Sequence, residues 1–438
     1  MMRFVGLILI ILALPAFIYF IRAYPHRRNW IYFAFGFLPF ITNWANLDVA
    51  IISWGHWLGY AKGLLLSILD PLAIAVLVSS RNAWHKLPFR LLIGAYLFAI
   101  VISTFWANLW LSSFFYVFQF LRVALVFVAV SAFGGNSKAV QWLCFGLAAG
   151  AVFQGAMSVL QITGGAARIS GTMGHQNLLG MMLHFVTMPL IALLLAGERS
   201  KFIMFAVLAS LGVVMLGASR ASVAYVLLGV VLLLVISLVR FVNVQKTKII
   251  GFAVLAGLAV APLAVYSFSD RFGDKAILSG PDQEREAFER AANAMWSDNP
   301  LGVGANQYVV TANSQGYSLE AGVARRWGSL SANVHNLYLL TAAEAGWPGF
   351  ISLSALLIWA IYSGLALCFK DRKSVHGELV LGFTVALFIM ALHSFYEWIF
   401  VLSAVQYLFA IALGVIAGSI RAARQKETAR TARVPVAA

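Results

Sequence analysis

Long apolar runs separated by short polar segments follow one another along most of the chain. A helix needs about 20 consecutive apolar residues to cross the hydrocarbon core of a bilayer. The pattern therefore predicts an all-α polytopic membrane protein with about 12 to 13 transmembrane helices. We place these helices at 4–21, 29–42, 60–79, 89–107, 111–133, 139–160, 177–196, 201–218, 221–239, 249–267, 337–368, 378–394 and 398–420.

One long polar stretch, residues 268–336, interrupts this pattern and holds eight of the sixteen carboxylates in the chain. Hydrocarbon cannot satisfy polar, irregular backbone, so the stretch must lie outside the bilayer or line a wet cavity. It divides the chain into a bundle of about ten spans at 1–267, a loop at 268–336, further spans at 337–420 and a basic tail at 421–438.

An amphipathic helix is predicted inside this loop, near 282–296. Pro281 and Asp282 are typical of a helix start. Arg285, Phe288, Ala292 and Met295 then recur at helical spacing along one stripe. We expect this helix to cover a cavity at the membrane surface, so that the loop acts as a lid.

Composition and charge agree with a membrane protein. Hydrophobic residues make up 61% of the chain, charged residues 11%, and the mean hydropathy is +0.86, whereas soluble domains have roughly 25% charged residues. The net charge of +15 could suggest nucleic-acid binding, but 20 of the 31 Lys and Arg residues lie in short segments between apolar runs or in the C-terminal tail. That distribution is the positive-inside pattern, which predicts cytoplasmic basic loops and no nucleic-acid partner. The two cysteines, Cys144 and Cys368, lie in apolar runs and are predicted to be packing residues.

Two arginines on the predicted outer side are not explained by topology. Arg168 stands in a glycine-rich segment that leads into a helix, and a helix N-terminus attracts anions. Alternatively, it is an interfacial residue that reaches toward lipid headgroups. Arg220 lies in the five residues that separate two long apolar runs. A charge there is costly unless it is paired or solvated, so it either serves a functional site or is a turn residue that reaches water.

Three further residues could carry chemistry. Arg285 lies on the apolar stripe of the predicted loop helix, unless it forms only a surface pair with Glu289. His335 lies where the loop re-enters the membrane. An imidazole with a pKa of about 6.5 can accept a proton, although a lone histidine is more often structural. Glu344 lies in an apolar run and needs a partner, so it either orients a His or Arg side chain or makes a helix–helix contact.

Taken together, these motifs resemble the O-antigen ligase/polymerase superfamily. The resemblance rests on Ser219-Arg220 between two spans, on Arg285 some fifteen residues before the segment 299–304, and on the segment 335–346 with His335 and Glu344. The segment 171–177 is similar to an outer-loop motif of the same superfamily. Its members include lipopolysaccharide O-antigen ligases, Wzy-type polymerases and protein O-oligosaccharyltransferases.

The resemblance implies a GT-C-like, inverting glycosyltransferase of the bacterial inner membrane, with its active site facing the periplasm and with no metal or cofactor. The donor would be a glycan on undecaprenyl diphosphate, and the acceptor would be lipid A core or a glycan. Arg220, Arg285 and Arg168 would hold the diphosphate, and His335 would be the general base. Supporting roles would fall to Glu344, Asn336, Tyr338, Asn177 and His175.

The predicted function is therefore O-antigen ligase, with a Wzy-type polymerase or a protein O-oligosaccharyltransferase as alternatives. A secondary transporter or a lipid flippase is a more remote alternative, because intramembrane Arg and His residues also serve anionic substrates and proton coupling. Membrane lipids are expected partners in every case.

Overall fold

A computed structural model describes residues 2–80, 86–166, 169–217, 219–251 and 281–431. The predicted span at 249–267 and the beginning of the polar loop lie almost entirely outside these residues. The helices of the first half are α1 Met2–Ala23, α2 Asn29–Ile41, α3 Leu69–Ser79, α4 Arg90–Ser103, α5 Trp110–Phe133, α6 Ser137–Thr163, α7 Gln176–Leu195, α8 Lys201–Leu216 and α9 Arg220–Arg240.

The described part of the polar loop contains four helices, and three long helices follow it. The loop helices are α10 Pro281–Asp298, α11 Tyr308–Ser314, α12 Tyr317–Glu320 and α13 Trp327–Leu330. The long helices are α14 Leu337–Lys370, α15 Val375–His393 and α16 Ser403–Thr431. Single turns of 3-10 helix occupy Pro25–Arg27, Thr104–Trp106 and Ile399–Val401.

Eight of the described helices are long and apolar enough to cross a membrane, namely α1, α5, α6, α7, α9, α14, α15 and α16. The helices α3, α4 and α8 are shorter but also apolar. The chain is thus an all-α, multi-pass membrane protein, as predicted. Within the bundle α2 packs on α6, α5 on α16, α7 on α15 and α4 on α14.

A two-stranded antiparallel hairpin replaces part of the predicted span at 60–79. Strand β1 Asp48–Ser53 pairs with β2 Gly63–Ser67, so that Asp48 lies opposite Ser67, and α3 follows directly. The run Leu64–Leu66 is continuously apolar, and such a run has no periodicity that separates a strand from a helix. The sequence therefore did not reveal the hairpin.

Small residues bring α2 and α6 into backbone contact. A Cβ atom placed on Gly36 would lie 2.2 Å from the backbone oxygen of Leu143, and one placed on Gly146 would lie 2.0 Å from that of Phe33. Membrane helices often associate through such small residues, because lipid supplies no hydrophobic driving force for association.

The long helix α14 is broken at Gly346, where φ is 62° and ψ is −164°. A Cβ atom at Gly346 would lie 2.2 Å from the backbone oxygen of Pro300, and the amide of Trp347 donates to that same oxygen at 2.9 Å. The break thus lets the segment after α10 pack against α14. It also explains why the predicted span at 337–368 is so long.

Two groups of buried charges tie the bundle together. Arg122 donates to Asp70 at 2.7 Å, and Glu378 accepts from both Arg240 at 2.7 Å and Lys246 at 2.6 Å. Arg240 and Lys246 lie between the predicted spans at 221–239 and 249–267, where the positive-inside pattern predicts a basic cytoplasmic loop, yet both are buried. Removing one partner from such a group leaves an uncompensated buried charge, which is strongly destabilising.

Candidate active site

Three segments meet around His335: the start of α7, the start of α14 and the residues that follow the end of α15. Asn336 is the N-cap of α14, and its side chain accepts from the amides of Tyr338 at 2.9 Å and Leu339 at 3.2 Å. The amide of Leu337 donates to the backbone oxygen of Ser394 at 2.9 Å. The hydroxyl of Tyr338 donates to the backbone oxygen of Ala391 at 2.8 Å. Asn336 and Tyr338 therefore fix the backbone on which His335 stands.

His335 is paired with a carboxylate that the sequence did not single out. Its Nδ1 lies 3.4 Å from Oε2 of Glu397, and the other carboxylate oxygen accepts from the side-chain amide of Asn177. Glu397 is only 2% exposed. An ionised carboxylate can only accept hydrogen bonds, so this pairing places the imidazole proton on Nδ1. Nε2 then carries the lone pair and can act as the base.

His175 and Asn177 form the start of α7. His175 is its N-cap, and the Nδ1 atom of this residue accepts from the amide of Asn177 at 3.2 Å. The cap sets the position of Asn177, and Asn177 in turn holds Glu397. The structure therefore links Asn177 to His335 through one carboxylate.

Helix α10 covers His335 with its apolar stripe. The ring of Phe288 lies 6.3 Å from the ring of His335, and Phe288, Ala292 and Met295 are buried. The hydroxyl of Tyr308 donates to the backbone oxygen of Phe288 at 3.1 Å and holds the helix in place. Arg285 lies one turn before Phe288 on the same stripe. Among the described residues Arg285 forms no hydrogen bond or ion pair. The surface pair between Arg285 and Glu289, which the sequence left open, is therefore not observed.

Arg220 is the first residue of α9, and Ser219 caps that helix by accepting from the amide of Ser222. Ser222 packs against α7, where a Cβ atom on Gly180 would lie 2.2 Å from the Ser222 Oγ. The ring of Tyr225 stacks on His393 with the ring centroids 5.0 Å apart. These contacts place the start of α9 at the same end of the bundle as His335. The side chain of Arg220 is exposed there, at a helix N-terminus that favours anions.

Arg168 lies outside the described residues. Glu344 is buried, with 3% exposure, and it accepts hydrogen bonds from the Tyr60 hydroxyl at 2.5 Å and the Tyr308 amide at 2.9 Å. Its own backbone oxygen accepts from the amide of Gly304 at 2.9 Å. Glu344 thus connects the hairpin region, the start of α11 and α14, and its hydrogen bonds do not run to His335.

Replacement of Glu344 tests whether it acts through structure. We expect Glu344→Ala to lower the free energy of unfolding by about 2 to 4 kcal/mol, because it leaves the Tyr60 hydroxyl and the Tyr308 amide unsatisfied in a buried place. Glu344→Gln keeps one acceptor and should cost less. Thermal unfolding of the purified protein in detergent measures both. Glu320→Ala, at an exposed position, is the control, and equal melting temperatures for all of these variants would contradict the expectation.

Glu284 holds the start of α10 to α13. It accepts from Arg326 at 2.7 Å and from the Ser329 hydroxyl. The hydrogen bond from Ser329 lowers the pKa of Glu284 below 4.5, and Arg326 and His335 lower the pKa further. A lowered pKa means that the contact stabilises the fold fully above about pH 4.5 and is lost as the pH falls through the lower folded value.

Acid should therefore loosen α10. We expect amide hydrogen exchange in α10 to accelerate, after correction for the intrinsic pH effect, as the pH falls below 4.5. The change should correspond to less than about 1 kcal/mol, since the pair is partly solvated. Glu284→Gln should show the faster exchange already at neutral pH, while Glu286→Gln, whose pair with Arg290 spans 3.9 Å between exposed side chains, should not. Identical exchange in Glu284→Gln and the unaltered protein at neutral pH would contradict this role.

Two buried histidines, His184 and His393, lie beneath the site. Nε2 of His184 lies 3.0 Å from Nδ1 of His393, four residues before Glu397. The remaining ring nitrogens of both residues have no hydrogen-bond partner among the described residues. Among the described residues, no three His, Cys, Asp or Glu side chains lie close enough together to hold a metal ion.

The sequence analysis did not single out Glu397, which lies between the predicted spans at 378–394 and 398–420. The available signal was a single carboxylate in a short segment between two spans. A carboxylate in such a place needs a partner. Nothing in the sequence showed that the partner was His335, which is 62 positions away.

The fold is that of a multi-pass, all-α membrane protein. At one end of its bundle, a buried carboxylate contacts a partly exposed histidine and forms a candidate acid–base site. Residues 184–354 match the family model described as O-antigen ligase. This match confirms the predicted resemblance to the O-antigen ligase/polymerase superfamily and supports an O-antigen ligase-family function in general. The matched stretch includes Arg220, Arg285 and His335 and ends before Glu397. No curated protein matches the chain well enough to count as a relative.

Proposed function

We propose that the protein transfers a glycan from undecaprenyl diphosphate to an acceptor hydroxyl at the periplasmic face of the bacterial inner membrane. The observation that carries this proposal is the pairing of His335 with the buried Glu397, beneath a helix that bears Arg285 and beside the helix start that bears Arg220. The family match to residues 184–354 supports the same chemistry in general terms.

His335 is the general base in this mechanism. Its Nε2 removes the proton from the acceptor hydroxyl while the hydroxyl oxygen attacks the anomeric carbon of the donor sugar. The new carbon–oxygen bond forms on the face opposite the diphosphate, and the electron pair of the breaking bond leaves with the diphosphate. This displacement inverts the anomeric configuration. Glu397 stabilises the imidazolium that forms and is a positioning residue.

The arginines bind the leaving group. Negative charge on the diphosphate grows as the glycosidic bond breaks, and guanidinium groups hold phosphate oxygens through paired hydrogen bonds. Arg220 and Arg285 supply two such groups, and Arg168 remains a third candidate. Cations that are already in place stabilise this charge more strongly in a desolvated site than in water. Burial of Phe288 and its neighbours on α10 favours such desolvation next to His335.

We propose lipid A core as the acceptor, so that the protein is an O-antigen ligase. A growing glycan, as in a Wzy-type polymerase, and a protein, as in a protein O-oligosaccharyltransferase, are the alternative acceptors. Deletion of the gene followed by analysis of envelope glycans distinguishes them. A ligase predicts the loss of long chains from lipid A core while the lipid-linked polymer accumulates. Single-repeat chains on lipid A core would indicate a polymerase instead. Loss of the glycans from glycoproteins would indicate a protein O-oligosaccharyltransferase.

Replacement of Glu397 tests its positioning role. We expect Glu397→Gln to lower kcat by about 10- to 100-fold, because a neutral amide does not stabilise the imidazolium. The KM for the lipid-linked donor should change little, since Glu397 does not touch the diphosphate. Asn177→Ala, which leaves the carboxylate in place, should lower kcat less.

Steady-state transfer assays with Glu320→Gln as a control at an exposed position measure these effects. A purely structural role would lower the melting temperature and affect KM and kcat together. An unchanged kcat in a folded Glu397→Gln protein would contradict the proposed pairing.

A further inference from the structure

A cavity of about 550 Å³ lies at the end of the bundle away from His335. It is lined by residues from the ends of α1, α3, α5 and α16 and from the beginnings of α2 and α6. Helix α16 starts at Ser403, close behind Glu397, and Arg421 on the cavity wall lies eighteen residues further on. That distance along a helix is about 27 Å, close to the thickness of a bilayer core. We call this space the basic-end cavity.

The charged side chains on its wall are Arg28 and Arg421, and no carboxylate is among its described lining residues. Arg28 donates from Nε to the backbone oxygen of Ile21 at 3.1 Å, and its two terminal nitrogens have no partner among the residues that the structure describes. Arg421 donates to the backbone oxygen of Ser131 at 3.0 Å. These bonds fix the two guanidinium groups on two different elements of the cavity wall, α16 and the segment before α2.

Hydroxyl and amide groups add further donors. Ser79, Ser80, Ser137 and Asn136 all line the cavity. The Ser79 Oγ is buried and has no hydrogen-bond partner within the described part of the chain. A buried hydroxyl without a partner is costly, and a bound group with acceptor oxygens would satisfy it. Guanidinium groups together with hydroxyl donors suit phosphate oxygens.

Apolar residues also line the cavity, beside the polar side chains of Tyr32, Ser131 and Gln425. Ile21, Ile31, Val76 and Phe133 line the cavity and are buried. Outside it, Trp30 and Val78 on the neighbouring helix ends are 56% and 54% exposed. Apolar side chains beside two arginines at a membrane surface favour a ligand that has an apolar part as well as a phosphate. A phospholipid has a phosphate for the arginines and a glycerol backbone with acyl chains for the apolar residues.

We propose that the basic-end cavity binds the phosphate headgroup of an anionic phospholipid, in the membrane leaflet opposite the one that faces His335. Lipid binding there does not depend on the proposed glycan transfer, because the two sites lie at opposite ends of the bundle. Bound lipid would connect α1, α2, α3, α5, α6 and α16, and we expect it to stabilise that end of the fold by mass action.

Titration of the full chain in detergent with phosphatidylglycerol, followed by native mass spectrometry, tests this site. We expect the protein to retain phosphatidylglycerol at least about tenfold more tightly than zwitterionic phosphatidylcholine. Arg28→Gln, Arg421→Gln and the double variant should each weaken phosphatidylglycerol binding, by roughly tenfold for each guanidinium lost. Phosphatidylcholine binding should not change.

The matched controls are Arg22→Gln and Arg424→Gln, which remove exposed arginines from the same region without altering the cavity wall. Arg421 also donates to a backbone oxygen near the end of α5, so its replacement could affect the fold as well as lipid binding. Arg28→Gln removes a guanidinium group from the cavity and leaves this contact intact. No preference for phosphatidylglycerol in the unaltered protein would overturn the proposal, and so would an equal loss in the control variants. Displacement of the lipid by millimolar inorganic phosphate would assign the cavity to a soluble anion instead and would also overturn it.

Discussion

Replacing His335 with alanine is expected to lower the rate of glycan transfer by about 10²- to 10⁴-fold, the usual contribution of a general base. Glu397 contacts the Nδ1 atom of the imidazole, and in the proposed mechanism Nε2 takes the acceptor proton. Binding of the lipid-linked donor should persist, because the arginines that we propose to hold the diphosphate stay in place. The effect should therefore appear in kcat and much less in the KM for the donor.

His56→Ala is a suitable control, since His56 is an exposed histidine of the hairpin connection. His335→Gln is a second variant that retains a polar side chain of similar length but provides no basic nitrogen, and we expect it to be as inactive as His335→Ala. Full transfer by either folded variant in reconstituted membranes would show that His335 is not the base.

The second large effect is expected when the arginines are removed. Arg220→Ala or Arg285→Ala should each lower transfer by about 10²- to 10³-fold, and the double variant by about 10⁴-fold or more, because each removes a cation that stabilises the departing diphosphate. Donor binding should weaken as well, since the diphosphate is charged before it departs. Transfer assays and direct binding of a labelled lipid diphosphate measure the two effects separately.

Lysine at these positions keeps the charge but loses the planar pair of donors, so Arg220→Lys and Arg285→Lys should recover only part of the activity. Arg290→Ala is the matched control on α10, because Arg290 is exposed and donates to the backbone oxygen of Ala321. If Arg220→Ala and Arg285→Ala bind the lipid diphosphate as the unaltered protein does, the two arginines do not hold the diphosphate and this part of the proposal is wrong.

The class of the fold followed from the sequence because a membrane imposes long apolar runs, and such runs are easy to recognise. The predicted span at 337–368 is longer than one crossing requires, which is compatible with a tilt or a break, and the structure breaks it at Gly346. The β1–β2 hairpin was missed, because Leu64–Leu66 is apolar on both faces. The burial of Arg240 and Lys246 around Glu378 was also missed, since it depends on which helices are neighbours.

The candidate site was predictable only in part, for a related reason. Short motifs that stand out within a few residues, such as Arg220 between two spans and His335 at the return of the loop, could be found in the sequence. Glu397 is 62 positions from His335, and only the packing of α15 against α7 and α14 brings the two together. Glu344, which the sequence placed near the chemistry, instead binds Tyr60, a residue 284 positions away.

The most direct test of the proposed function uses the purified protein in proteoliposomes with a glycan on undecaprenyl diphosphate and with lipid A core as the acceptor. Mass spectrometry then follows both products. We predict that glycosylated lipid A core and free undecaprenyl diphosphate appear in equal amounts, with the glycosidic bond inverted, and that neither appears with His335→Ala. Release of no undecaprenyl diphosphate by the folded protein, together with passage of a labelled solute or the intact lipid across the membrane, would contradict the account and favour a transporter or flippase.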